Sequence, residues 1–145
     1  MIVLKADEKN VNDILDIEKR CFSNPFEKKS VEYEISKNPF SNVYIIFEKK
    51  EAVAYIDYWI TFDSSTICRI ATIPEFRKKG YAQKLLNDMF ANLIDKKVST
   101  ITLEVRASNL EAISLYEKNG FVKINTKKSY YDDGEDAVYM AKGVW

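Results

Sequence analysis

The spacing of apolar positions switches between two periods along this chain, and each switch marks a change of element. Ile2 to Leu4 is short and apolar, as in a strand. Asp7 is then placed to cap a helix on which Val11, Ile14, Leu15, Ile17 and Cys21 recur at helical spacing. Pro25 interrupts that pattern. Ser30 is placed to cap a second short helix carrying Val31 and Ile35, and Asn38-Pro39 stops it, because the residue before a proline avoids helical geometry. Three β-branched and aromatic runs follow, Val43 to Phe47, Val53 to Phe62 and Thr66 to Ile73, separated by the turn signals "EKKEA" and "DSS"; they predict an antiparallel meander.

From Tyr81 to Asp95 the stripe Leu85, Leu86, Met89, Phe90, Leu93 and Ile94 predicts an amphipathic helix, and Thr100 to Val105 a strand after it. Asn109 caps a further helix that Gly120 ends at its C′ position. Phe121 to Tyr130 and Glu135 to Lys142 predict a closing hairpin around "DDG". This order of elements is that of an α+β fold: a mixed, mostly antiparallel sheet of about seven strands with helices on its faces. Its one clear crossover unit runs strand, Tyr81 helix, strand, and the chemistry is expected around it.

At 145 residues and 46% hydrophobic content, the chain predicts one domain, residues 1–145, with a real core and no repeat or linker. Twenty-two basic residues balance twenty-two acidic ones, so neither a nucleic acid nor an anionic membrane is expected as partner, and any anion site must be local. The apolar runs are too short to span a bilayer, and "MIVLKADEKN" lacks the regions of a signal peptide; a cytoplasmic location is expected. Cys21 and Cys68 have no second cysteine at metal or redox spacing and read as free, buried thiols of a reduced compartment. There is no histidine, which removes serine-histidine and cysteine-histidine nucleophiles and argues against a metal site. Acid-base chemistry is left to Glu, Asp, Tyr, Lys or Cys.

"IATIPEFRKKGYAQKLL" passes from a strand end through Arg77-Lys78-Lys79-Gly80-Tyr81-Ala82 into the amphipathic helix, an R-x-x-G-x-A turn. Gly80 permits positive φ or a close ligand approach, and small Ala82 leaves room at a helix start whose free amides favour a phosphate. By itself "RKK" is also what a solvated surface run looks like; the strand before it and the helix after it favour the anion site. Neither a Walker loop nor a dinucleotide fingerprint is present.

The second candidate is "LEVRASNLEAISLYEKNGF". Leu103 and Val105 point to one face of their strand and Glu104 to the other, towards solvent or a cleft. Asn109 and Tyr116 are seven residues apart, two helical turns, so they share a face, and the backward lean of helical side chains carries the phenol towards the strand end near Glu104. Such a Glu is also compatible with plain solvent exposure, and such a Tyr with a core position.

With these residues in hand, the chain resembles the GNAT superfamily of acyl-CoA-dependent N-acetyltransferases. Arg77, Gly80 and Ala82 match its Q/R-x-x-G-x-G/A signature. L-E-V-R-x-S-N, A-I-x-L-Y-E-x-x-G-F, Tyr130-Tyr131 and D-A-x-x-M narrow the resemblance to the RimI group, which acetylates the N-terminal amine of ribosomal protein S18. The resemblance implies acetyl-CoA as donor and a protein N-terminus, that of S18, as partner. It implies edge hydrogen bonds to the donor at Ile70, Ala71 and Thr72, and phosphate contacts from the amides of Lys78, Lys79, Gly80, Tyr81, Ala82 and Gln83. Asn109 is implied as a donor contact, Glu104 as base, Tyr116 as acid, and Tyr130, Tyr131 and the "FSNPF" segment as acceptor groove. Phe26 stands where the group often has tryptophan, a departure from its pattern in the acceptor groove. The alternatives left open are a lysine side chain or small amine as acceptor, and a non-catalytic acyl-CoA-sensing module; the joint presence of Glu104 and Tyr116 counts against the latter.

Overall fold

A computed structural model describes residues 1–145. Strand β1 (Val3–Lys5) leads to a one-turn 3-10 helix (Glu8–Asn10) capped by Asp7, whose carboxylate accepts the Lys9 amide at 2.8 Å while the Asp7 amide donates to Asn10. Helix α1 (Val11–Cys21) continues directly from that turn. Helix α2 (Lys28–Ser36) starts earlier than expected: Glu27 is its N-cap residue, its carbonyl collecting the Ser30 and Val31 amides, so Ser30 lies inside the helix and does not cap it. The helix ends before Asn38-Pro39, as the proline requires.

The meander is β2 (Ser41–Glu48), β3 (Glu51–Thr61) and β4 (Ser64–Thr72). Helix α3 (Tyr81–Asp95) crosses over to β5 (Thr100–Arg106), helix α4 (Leu110–Lys118) follows, and β6 (Val122–Lys127) and β7 (Ala137–Gly143) close the sheet. The strand order is β1-β2-β3-β4-β5-β7-β6, antiparallel everywhere except at β4 and β5, the pair joined by the α3 crossover. The last hairpin is looser than predicted. β6 stops at Lys127, because Ser129 turns into positive φ and the Asp136 carboxylate takes its amide at 2.9 Å; Tyr130, Tyr131 and Glu135 therefore lie in a loop.

Helices cover both faces. The Tyr55 hydroxyl of β3 donates to Glu18 of α1, whereas the Tyr58 hydroxyl accepts from Asn92 of α3 at 2.8 Å. A bulge between Asp57 and Tyr58 separates the two. Ile14 and Ile17 of α1, Ile45, Ile46, Val53 and Ile56 of the sheet, and Leu85, Leu86, Met89 and Leu93 of α3 form the buried core. Truncating such a residue to alanine typically costs about 2–5 kcal/mol, so the crossover unit is firmly anchored.

That anchoring holds open a fork. β4 pairs with β5 only from Ser64 to Ile67, against Thr100 to Leu103. Beyond Ile67, β4 runs on beside β3 alone, and β5 beyond Leu103 runs on beside β7 alone. Cys68, the extra residue of a bulge on β4, sits where the strands part, in keeping with the extra twist that bulges impose.

Candidate active site

The donor side of the fork is made of backbone. From Cys68 to Thr72 the edge of β4 facing β5 has no strand partner. The Thr72 carbonyl is engaged locally, accepting from Arg77 Nε at 2.8 Å and from the Cys21 thiol at 3.4 Å. Arg77 thus braces the turn on the strand end. Beyond it, six successive amides, Lys78 to Gln83, donate to no group in the protein; the first helical bond is from Lys84 to Gly80. Lys78 and Gly80 both have positive φ, 62° and 92°, which curves this run of N–H groups outward at the start of α3. A Cβ on Gly80 would meet only the Met1 side chain at 3.7 Å, so conformation, not space, calls for glycine there. Ala82 is half-buried, Tyr81 packs edge-on against Phe76, and the Lys79 ammonium lies 5.3 Å from the Phe76 ring centre. The Gln83 side chain exchanges two hydrogen bonds with Asn119 at the end of α4, at 2.8 and 2.9 Å, tying the anion turn to the next helix.

Glu104 lies on the half-exposed face of β5, and Tyr116 on α4, which follows that strand in the chain. The strand alternates, with Ile101, Leu103 and Val105 buried and Thr102, Glu104 and Arg106 half-exposed. Tyr116 is placed by the way α4 ends. Gly120 has φ 91°, its amide donates to Glu117 and the Phe121 amide to the Tyr116 carbonyl, a Schellman motif in which Tyr116 and Phe121 are the apolar pair. Their rings meet edge-on at 5.5 Å. Burial, with the neighbouring Tyr131 adding to it, pushes the Tyr116 phenol well above its ordinary range, so it stays protonated at neutral pH. Asn109 caps α4 by accepting the Ala112 amide at 3.1 Å, the only hydrogen bond its side chain makes.

Glu104 is half-buried and not alone. Lys127 Nζ donates to its Oε2 at 2.7 Å and lies 4.7 Å from the ring centre of Tyr139 and 5.4 Å from that of Tyr130. A carboxylate, an ammonium and two aromatic rings thus meet at the fork. Tyr131 is held beside this group by Arg106, whose guanidinium lies 4.1 Å from its ring centre and which also binds Asp133 and Glu135. Cys68 opens the opposite arm. Burial and the surrounding carboxylates Asp57, Glu34 and Glu104 push its thiol far up, away from any reactive thiolate.

Phe26, on the "FSNPF" segment, is fixed by residues that periodicity did not single out. Arg69 of β4 lies between the rings of Phe22 and Phe26, 4.2 and 4.1 Å from their centres. Its Nη2 donates to Glu18 Oε1 and to the Asn24 carbonyl, each at 3.3 Å. Glu18, fully buried, also accepts the Phe26 amide at 2.8 Å and the Tyr55 hydroxyl. The visible signal was a charge inside an apolar strand: Asp57 in "AVAYIDYWI" and Arg69 in "TICRIAT". Lys127, the partner of Glu104, had no comparable signal among the polar residues of its strand.

An open strand edge beside a run of free amides can hold an extended, amide-bearing arm and an anion, and the comparisons say in which family this arrangement occurs. Residues 11–121 match the acetyltransferase (GNAT) family. The ribosomal protein bS18-alanine N-acetyltransferase of Haemophilus ducreyi is 33% identical over 138 residues, 92% of this chain and 94% of that protein. The crystal structure of the ribosomal-protein-S18-alanine N-acetyltransferase from Escherichia coli superposes with a TM-score of 0.91 at 27% identity, over 99% of this chain and 93% of that one. The PaiA N-acetyltransferase of Thermoplasma acidophilum, solved with coenzyme A, shares the fold at a TM-score of 0.84 and 17% identity, over 98% of each chain. The chain belongs to the GNAT family of acetyltransferases and is an acyltransferase. No helix is long and apolar enough to cross a membrane.

Proposed function

We propose that this enzyme transfers the acetyl group of acetyl-CoA to the N-terminal amine of a protein, ribosomal protein S18 being the first candidate. The observation that carries the reading is the fork itself: Glu104, bonded by Lys127, lies on β5 just past its last pair with β4, whose edge beyond that point is free. The names of the relatives support both the reaction and the candidate acceptor.

The residues fit the donor. Acetyl-CoA supplies the activated thioester; the free edge of β4 around Ile70 to Thr72 suits its amide-bearing arm, and the amides of Lys78 to Gln83 suit its diphosphate. An α-amine with a pKa of about 7.7–8.0 is mostly protonated at pH 7 and must lose that proton to attack. Glu104 Oε2 accepts it, directly or through water, after the arriving ammonium has displaced Lys127. As the nitrogen bonds to the acyl carbon and the C–S bond breaks, the electron pair goes to sulfur, the nitrogen gives up its second proton to water, and the Tyr116 hydroxyl donates a hydrogen bond to the departing thiolate. Full proton transfer from a phenol held above its ordinary range is uphill, so Tyr116 acts chiefly by stabilising the departing thiolate. The chain has no histidine to activate either thiol and burial holds both up, which favours direct attack over an acetyl-cysteine.

The deciding assay measures CoA release with the N-terminal peptide of the organism's own S18, an internal-lysine peptide and spermidine. Turnover of the N-terminal peptide well above the other two is expected; a preference for lysine or spermidine would overturn the reading.

A further inference from the structure

The carboxyl groups around the fork have cations, with two exceptions. Glu18 has Arg69, Glu104 has Lys127, and Asp133 and Glu135 share Arg106. Asp57 in the middle of β3 and Glu34 on α2 have none. Asp57 is 1% exposed, and neither of its oxygens accepts a bond from any donor in the protein. Glu34 accepts only neutral donors, Trp59 Nε1 at 2.6 Å and Asn38 Nδ2 at 2.9 Å. Both carboxyls lie on the Glu104 face of the sheet: Trp59, bonded to Glu34, is in register with Thr66, whose hydroxyl meets that of Thr102, two residues before Glu104.

Glu34 forms one wall of a cleft of about 370 Å³ whose other walls include Phe26, Tyr33, Trp59 and Cys68. Asp57 lines the small void directly behind it, bounded by the same Phe26 and Glu34. Cys68 is the first β4 residue past the last β4–β5 pair, so the cleft opens at the fork. Lys29, on its rim, makes no ion pair with either carboxyl.

We propose that this cleft is a specificity subsite for a cationic side chain, guanidinium or ammonium, carried by the acceptor within the first residues beyond the amine that is acetylated. The proposal rests on acetyl transfer to an N-terminal amine at the fork. Two adjacent carboxyls without a counter-ion are costly to ionise together, and an arriving cation supplies the missing charge. Until it arrives a proton does that work: burial, then the adjacent Glu34, push the Asp57 carboxyl up to about 9. Phe26, Tyr33 and Trp59 offer ring faces to a flat guanidinium or an aliphatic stem. Cationic acceptors of two kinds share this chemistry, a peptide with Arg or Lys near its N-terminus and a polyamine, and the test separates them.

Peptides that differ only by Arg, Lys, Leu or Glu at residue one, two or three are assayed for acetyl transfer, and for binding to the enzyme–CoA complex by calorimetry, alongside spermidine. Wild type, Glu34→Gln and Asp57→Asn are compared through the Arg-to-Leu ratio within each protein, which is insensitive to a partly unfolded sample. The expected ratio is about tenfold or more in kcat/KM for wild type at one of these positions, falling to within about threefold in both variants. Equal use of Arg and Leu peptides by wild type, or a preference that survives both substitutions, overturns the subsite. If no peptide is acetylated but spermidine is, the N-terminal reading fails while the subsite is still tested: spermidine turnover must then depend on Glu34. Peptide acetylation without any charge preference leaves the N-terminal reading standing and refutes the subsite alone.

Discussion

The two arms of the fork present different kinds of group. On the β4 and α3 arm these are main-chain: a strand edge without a partner and six amides aimed outward by Lys78 and Gly80. On the acceptor side they are side chains in interlocking pairs: Glu104 with Lys127, Arg69 between Phe22 and Phe26, Arg106 against Tyr131, and Glu34 beside Asp57. Backbone geometry tolerates many side chains but few conformations, which suits a donor whose chemistry does not vary. Side-chain pairs do the reverse and can be exchanged to suit a different acceptor without disturbing the fold.

The largest expected effect comes from the acceptor side. Glu104→Gln keeps shape and removes the proton acceptor, so turnover at neutral pH falls by about 10²- to 10⁴-fold with acetyl-CoA affinity unchanged. Raising the pH restores part of the rate, because the α-amine then sheds its own proton. Tyr116→Phe leaves deprotonation intact, and its deficit persists at high pH. Steady-state rates from pH 6 to 10 test both; normal turnover by Glu104→Gln at pH 7 with saturating acceptor would place the base elsewhere.

Next is the donor arm. Gly80→Asp puts a Cβ at φ 92° and a negative charge beside the amides, so acetyl-CoA affinity should drop between about tenfold and a hundredfold. Calorimetry with CoA reads this directly. If Gly80→Ala and Gly80→Asp both bind like wild type, the turn does not hold the phosphates.

This division also governs what could be read from the sequence. Gly80, Gly120 and the alternation around Glu104 are local, and they predicted the run of free amides, the end of α4 and the half-exposed position of Glu104. Asn109 and Gln83 turn out to be engaged within the protein as well, capping α4 and joining it to α3. The acceptor side was less legible, because its pairs are distant in sequence: Glu18 with Arg69 and Asp57 with Glu34 meet only once α1 and α2 lie on the sheet. Ser30 competed with a helix start set by the Glu27 carbonyl. The long final hairpin gave way to a loop because Asp136 and Glu135 have better partners outside the ladder.

A smaller effect separates the unpaired acceptor carboxyls from the paired ones. With Asp57 held near 9, the folded chain carries a proton between about pH 4 and 9 that the unfolded chain has lost. Stability therefore falls as pH rises through that window, by at most about 1.4 kcal/mol per pH unit from this group, and levels off above it. Asp57→Asn has no charge to suppress, so it should be the more stable protein at pH 8 and show a flatter profile. Urea unfolding at pH 5.5, 7 and 8.5 measures this; identical slopes for the two proteins would mean that Asp57 is ionised in the fold.

The smallest effect tests the backbone claim most sharply. Lys79 is exposed, pairs with no carboxylate and lies only against the Phe76 ring, yet it sits among the amides assigned to the donor diphosphate. If main-chain geometry dominates, Lys79→Ala removes only an exposed, screened attraction of less than about 1 kcal/mol, a change of no more than about fivefold in acetyl-CoA affinity. Because such an attraction is screened over about 10 Å at 0.1 M salt, the difference between wild type and variant should shrink as ionic strength rises, whereas the deficit of Gly80→Asp should largely remain. CoA titrations at 20 mM and 500 mM salt read both proteins in one experiment. A loss in Lys79→Ala as large as that in Gly80→Asp, and equally resistant to salt, would move recognition of the donor from the backbone to the side chains and erase the contrast between the two arms.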